Sequence, residues 1–214
     1  MLVAIDGTGE LSPTLYYQNN HNSLIAQLVR ETRQNPKKYV AGPTLDGDSC
    51  FSAAWAIALD IKRTVGADRG PVFLAGHSRG GAICIAVAGL LRQDNILVEC
   101  MMLFDAVNRS LSLNAATIPG NVKYAYHAMR NDVVGSRPWF GHCGTSIESP
   151  GVLVTYRFNA THAGVGGTPW SGAGSKSWFR DRPTAAWMNR ERDQKGTNEV
   201  KNWAWMMMRK RGMI

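Results

Sequence analysis

The 214 residues include 44% hydrophobic side chains, nine prolines and a net charge of +8, a composition of an ordinary globular chain that excludes a disordered or low-complexity one. No apolar run approaches the roughly 18 residues that a membrane-spanning helix needs. The opening Met1-Leu2-Val3-Ala4-Ile5-Asp6 has neither the basic start nor the cleavage site of a signal peptide, so synthesis in the cytoplasm is expected, a placement compatible with export by a signal-independent route.

The elements alternate along the chain. Residues 2–6 read as a short buried strand that closes on Asp6-Gly7-Thr8-Gly9. Residues 23–33 follow as a helix with Leu24, Leu28 and Thr32 on one face and Asn22 as its cap. Tyr39-Val40 marks a brief strand before the turn-rich Gly42-Pro43-Thr44-Leu45-Asp46-Gly47. Residues 52–65 predict a helix, because Ala54, Ile57, Ala58, Ile61 and Val65 fall on one stripe. Val72 to Ala75 is a fully apolar strand, residues 80–92 a helix of small residues, and Ile96 to Phe104 a second apolar strand ending at Asp105. Strand, helix and strand in this order predict a right-handed crossover and a parallel sheet. Further strands fit at 121–128 and 152–158, the latter with an alternation suited to a sheet edge. The segment 184–214 is helical, basic and rich in Trp and Met, and residues 184–211 read as two helices separated by Gly196. The expected fold is a three-layer α/β sandwich with a mostly parallel central sheet, in a single domain over residues 1–214. Cys84 and Cys100 lie in apolar runs, Cys50 and Cys143 in polar ones, and no CxxC or Cys/His spacing points to zinc.

Gly76-His77-Ser78-Arg79-Gly80 stands between the strand at 72–75 and the helix at 80–92. A Gly-x-Ser-x-Gly in that context lifts a serine hydroxyl out of a sharp strand-to-helix turn. Ser78 is therefore the candidate nucleophile, and the N–H of Arg79, at the head of the helix, a candidate oxyanion donor. Gly7 and Thr8, at the end of the first strand, are candidates for the second donor.

A serine needs a base, and the base an orienting acid. Of the five histidines, His162 follows the last strand, in Asn159-Ala160-Thr161-His162-Ala163-Gly164, and is the preferred base. His21 reads as a surface residue, His77 as part of the elbow with its ring turned from the serine, and His127 as a core histidine. His142 sits in a Gly/Pro-rich loop as a weaker candidate. Two acids are open. Asp105 ends an apolar strand, where a lone carboxylate is costly without a partner, and Asp132 ends the next strand.

In their order, Asp6-Gly7-Thr8-Gly9, Asn22, Tyr39 to Gly42, Gly76-His77-Ser78-Arg79-Gly80-Gly81, Phe104-Asp105-Ala106-Val107, His127 and His162-Ala163-Gly164-Val165-Gly166-Gly167 resemble the α/β-hydrolase family that includes type VI secretion phospholipase effectors and related bacterial and fungal proteins. The resemblance implies an α/β-hydrolase-like sandwich and an acyl-ester hydrolase with Ser78, Asp105 and His162 as its triad. It favours a lipid or phospholipid substrate and requires no metal or organic cofactor. A weaker likeness to triacylglycerol lipases with Gly-His-Ser-x-Gly-Gly favours Asp132 as the acid.

The charge is uneven. Residues 1–110 carry 10 Lys/Arg and 10 Asp/Glu, residues 111–214 carry 14 and 6, and six of the seven tryptophans follow position 130. One reading is a solvated basic face; the other is a surface that meets something anionic, an anionic membrane in preference to nucleic acid. In the extreme of that reading the chain is a non-catalytic module that grips an anionic membrane or polymer.

Overall fold

Leu2–Ile5 form the first strand, β1, and all four side chains are buried although no polar residue alternates with them. Leu2 and Ala4 enter one core cluster while Val3 and Ile5 enter the other, so both faces of the strand are covered. The remaining strands are β2 (Lys37–Val40), β3 (Val72–His77), β4 (Val98–Phe104), β5 (Thr117–Ile118), β6 (Val122–Arg130), β7 (Ser146–Ile147) and β8 (Val152–Phe158). Six of them make an all-parallel sheet in the order β2-β1-β3-β4-β6-β8, and β5 pairs with β7 in a small second sheet. This computed structural model describes residues 1–9, 12–43, 49–65, 70–110, 112–170 and 181–214. The Thr44-Leu45-Asp46-Gly47 part of the expected turn lies outside them.

Helices cover both faces. α3 (Ser49–Val65) and α4 (Arg79–Arg92) pack on one, with Ile57, Ile61, Ile83 and Leu91 against Leu74, Met101 and Leu103. α2 (Leu24–Glu31) and α6 (Arg190–Arg209) pack on the other, where Ile25, Leu28, Val200, Trp205 and Met208 meet Phe73, Met102 and Phe104. Two short helices, α1 (Pro13–Asn20) and α5 (His162–Val165), lie at the carboxyl edge of the sheet. This is the expected α/β-hydrolase architecture.

Parallel strands bring their carboxyl ends to one edge. Asp6 follows β1, Ser78 follows β3, Asp105 follows β4 and His162 lies just beyond β8. The chain leaves β1 for β2 on one side and returns to β3 on the other. The crevice between the ends of β1 and β3 is thus a switch point, where open α/β sheets take their ligands.

Several local expectations are corrected. α2 is capped by Ser23, whose Oγ accepts from the Ala26 N–H, rather than by Asn22, and Thr32 is already extended backbone beyond its end. α1, capped by Ser12 with Pro13 in its first turn, has no apolar stripe that would have announced it. The tail holds one continuous helix over residues 190–209 instead of two. Gly196 lies inside that helix and is there for contact, not for a break: a Cβ on it would overlap the carbonyl of Asn159 and touch Ala160. Two of the tail's tryptophans are consumed in packing, while Trp187 is exposed. Trp205 is buried with its indole N–H donated to Glu31, and Trp203 packs against Tyr126, Tyr156 and Phe158. All four cysteines are buried thiols, none of them in a disulfide. Among the described residues no helix is long and apolar enough to cross a membrane.

Helix propensity alone makes Gly196→Ala stabilising by about 1 kcal/mol, whereas the contact with the Asn159 carbonyl makes it an overpacking change. We expect overpacking to win by about 1–3 kcal/mol, lowering Tm by roughly 2–10 °C in a thermal melt. A raised Tm would mean that α6 does not press on the β8–α5 connection.

Candidate active site

Ser78 sits at φ 55°, ψ −126°, a backbone region that a non-glycine residue enters only when its surroundings force it. The forcing groups are visible. Its N–H donates to the Phe104 carbonyl at 3.0 Å, and its carbonyl accepts from the N–H groups of Gly81 at 3.0 Å and Val107 at 3.1 Å. A Cβ at Gly76 would strike the Gly80 backbone, and one at Gly80 would strike the carbonyls of Ile5 and Asp6. Only glycine lets strand and helix approach this closely. Ser78 precedes α4 as its cap residue, yet its hydroxyl makes no capping bond to the helix. The hydroxyl bonds to His162 instead.

The Ser78 Oγ lies 2.9 Å from His162 Nε2, and His162 Nδ1 lies 2.6 Å from Asp105 Oδ2. All three side chains are buried. Because a carboxylate only accepts, the proton of the neutral imidazole belongs on Nδ1, which leaves the Nε2 lone pair facing the serine hydroxyl.

His162 is held from behind by two acids. Asp193, on α6, accepts from Thr161 N at 2.7 Å, Thr161 Oγ1 at 2.8 Å and Trp170 N at 2.7 Å. Thr161 in turn caps α5 by accepting from the Gly164 N–H at 3.0 Å. The His162 N–H donates to Ser136 Oγ at 2.8 Å, and both Ser136 Oγ and the Ala163 N–H donate to Asp181.

Asp105 is the most heavily bonded group of the site. Oδ1 accepts from His142 Nε2 at 2.8 Å and from the Arg130 N–H at 3.0 Å, and Oδ2 accepts from His162 and from Arg130 Nη1 at 2.6 Å. Burial pushes its carboxyl up, but the bonds from His142 and His162 and the Arg130 charge outweigh that and hold it well below the usual carboxylate range. Burial pushes the His162 imidazole below its ordinary value of 6.5, more than Asp105 raises it. His127, fully buried, is driven down to about 4 by burial first of all. It accepts from the Ala106 N–H at 3.0 Å and faces the Gly144 carbonyl at 3.2 Å, which ties down the residue next to Asp105.

The turn after β1 lies directly against the serine: a Cβ at Gly7 would come within 3.2 Å of Ser78 Cβ. Asp6 shapes this turn, accepting from the Gly7 N–H at 2.8 Å, from Tyr39 Oη at 3.1 Å and from Ser23 Oγ. The Gly7 N–H is therefore engaged inside the turn, which leaves the Thr8 N–H as the candidate donor there. The Gly7 carbonyl accepts from the Tyr16 hydroxyl. In a trans peptide the next N–H points the opposite way, so Tyr16 fixes the direction of the Thr8 N–H. Thr8 and Arg79, with Ser78 and His162, line a cleft of about 340 Å³.

The other sequence candidates fall as follows. Asp132 lies in a short 3-10 helix, exposed, with Arg157 at 2.7 Å, and has no contact with His162. His21 is exposed. His77 lines the cleft, its ring 5.0 Å from that of His162 and its Nε2 3.3 Å from the His162 carbonyl. His142 faces Asp105, not the serine. Arg130, Tyr16, Arg109, Arg137, Ser136, Asp181 and Asp193 escaped the sequence reading. Of these, Arg130 carried a signal, as a charged residue directly after the apolar Ala128-Met129.

The His162 ring should titrate with a midpoint below 6.5, since burial disfavours its charged form. Histidine NMR resonances followed over pH 4–9, assigned with His162→Gln, check this. A midpoint above 7 would mean that Asp105 outweighs burial.

A model of the alpha/beta hydrolase family matches residues 39–212. No curated protein matches the chain in sequence. Among solved structures, YbtT, a type II thioesterase from the yersiniabactin NRPS/PKS biosynthetic pathway, is 14% identical, with 73% of this chain and 84% of that chain covered and a TM-score of 0.40. The thioesterase domain SrfTE, described for cyclization of the lipopeptide antibiotic surfactin, is 15% identical, with 76% and 83% covered and a TM-score of 0.43. RedJ, a thioesterase of the prodiginine pathway in Streptomyces coelicolor, is 12% identical, with 78% and 81% covered and a TM-score of 0.41. Since the family model spans most of its length, the chain belongs to the alpha/beta hydrolase family.

Proposed function

We propose that this protein is a serine hydrolase that cleaves carboxylic esters through an acyl-enzyme intermediate. The observation that carries the reading is the buried relay from Ser78 Oγ through His162 to Asp105, with separations of 2.9 and 2.6 Å. Ser78 Oγ attacks the acyl carbonyl while His162 Nε2 takes its proton, and the imidazolium that forms is stabilised by Asp105. The oxyanion is received by the backbone N–H groups of Arg79 and Thr8, at a helix head and at a turn fixed by Tyr16. His162 then returns the proton to the leaving alkoxide, and a water repeats the sequence to free the acid and Ser78.

A lipid or phospholipid acyl chain is the substrate we favour within this class. Trp139 supports it: the ring is 71% exposed and stacks edge-on with Phe140 of the cleft lining, 6.3 Å between centroids. An apolar ring at the mouth suits an acyl chain better than a polar one.

Ser78→Ala is expected to fold and to lose turnover of short-chain aryl esters by about 10³-fold or more. Undiminished hydrolysis by the purified variant would sink the proposal. Asp105→Asn should cost about 10²–10⁴-fold in kcat, because an amide cannot keep the His162 proton on Nδ1, while Asp132→Asn should stay within about twofold of wild type. Asp105→Asn also strips Arg130 of its carboxylate, so its kinetics are read on protein with a native near-UV spectrum. The reverse ranking would move the acid to Asp132.

A further inference from the structure

The cleft is charged on one side. Among the described residues that line it, Arg79, Arg109 and Arg137 are cationic and Asp6 is the one acid, its carboxylate already engaged by Gly7, Tyr39 and Ser23. Two of these arginines share a mount. The Arg109 guanidinium lies 4.9 Å and that of Arg137 5.1 Å from the centre of the Phe140 ring. Phe140 itself meets the His162 ring edge-on, 5.7 Å between centroids. Both cations therefore stand one aromatic ring away from the proposed base.

This mount is built, not incidental. Arg130, whose Nη1 pairs with Asp105, uses Nη2 to donate to the carbonyls of both Arg137 and Phe140. Arg137 adopts a φ of 44°, a strained value that this anchoring sustains. The same buried guanidinium thus fixes Asp105 and the loop that carries Phe140. Arg137 has an acid nearby, Asp181 at 3.6 Å. Arg109 is exposed, and among the described residues no carboxylate pairs with it. A stacked guanidinium keeps its N–H edge available for a carboxylate or phosphate.

We propose that Arg109, braced on Phe140 with Arg137 beside it, binds an anionic group of the substrate, so that the preferred esters carry a carboxylate or phosphate near the scissile bond. This rests on the hydrolase reading for its catalytic consequence, but the anion site itself can be tested without turnover.

Two readouts keep the claims apart. In the first, wild type, Arg109→Gln and Arg109→Lys are assayed on matched pairs: p-nitrophenyl glutarate monoester against p-nitrophenyl butyrate, and dibutyryl glycerol phosphate against tributyrin. We expect kcat/KM to favour the anionic member by about tenfold or more, the worth of one charge-assisted contact. That ratio should collapse in Arg109→Gln, recover in part in Arg109→Lys and fall with added salt. A preference confined to the glutarate pair identifies a carboxylate on the acyl part, and one confined to the glycerol phosphate pair a phosphate on the alcohol part; either supports the proposal. An equal ratio in wild type and Arg109→Gln overturns it while the hydrolase reading stands. In the second readout, calorimetry measures the binding of glutarate and of inorganic phosphate to wild type and Arg109→Gln. If no ester is cleaved, the hydrolase reading fails, and binding weakened about fivefold or more by Arg109→Gln still upholds the anion site. Equal or absent binding in both proteins, with no ester cleaved, overturns that as well.

Discussion

The Asp105 carboxylate is the constraint on which the site depends. It is fully buried and accepts from His162, His142, and both the backbone and the side chain of Arg130. A carboxylate in such a place would be prohibitive without these donors. Arg130 is buried as deeply, so each ion makes the other tolerable. Removing one partner of such a pair costs about 3–5 kcal/mol, because the survivor is left uncompensated. The pair also acts beyond itself. Through its second nitrogen Arg130 holds the carbonyls of Arg137 and Phe140, so the wall of the cleft and the proposed orienting acid are set by one guanidinium. On the proposed mechanism this has an electrostatic consequence: the Arg130 charge offsets part of the field with which Asp105 would stabilise an imidazolium, while the lowering of the His162 pKa itself comes first from burial.

Around that centre the sheet does the placing. Because all six strands of the main sheet run parallel, residues far apart in sequence arrive at one edge, and the reversal of strand order between β1 and β3 opens the crevice there. Strain is concentrated where the elements meet: Ser78, Asp105 and Arg137 all adopt positive φ, and each flanks the cleft or the carboxylate behind it. Three hydrogen bonds to the Ser78 backbone and the close approach allowed by Gly76 and Gly80 hold the first of these. Rigid placement of this kind suits the proposed chemistry, which needs a serine, a base and two N–H donors aligned before substrate arrives.

Much of this was legible in the residues, and the limits have physical causes. Buried strands announced themselves as apolar runs, since both faces of the sheet are covered, and Ser78 stood out because the strand before it and the small residues after it match a tight elbow. Asp105 was favoured over Asp132 on burial cost, and the structure buries the first and exposes the second. Contacts that join distant segments were not legible. His142 reaches Asp105 across a loop, and Tyr16 reaches Gly7 from a helix without an apolar stripe. Gly196 read as a breaker because propensity weighs against glycine in helices; only the neighbouring Asn159 carbonyl reveals why it is tolerated. Where the Trp- and Met-rich tail packs was not legible either: Trp203 meets Tyr126 and Phe158, and Trp205 joins the cluster that holds Phe73.

The central claim is that Ser78 is an activated nucleophile, and covalent labelling tests it most directly. An alkyl fluorophosphonate should phosphonylate the wild-type protein, with peptide mass spectrometry placing one adduct on Ser78. The rate should fall by about 10²-fold or more in His162→Gln, which keeps the serine but removes its base. No adduct on the folded wild-type protein, or an adduct on Ser78 that forms equally fast without His162, would contradict the account.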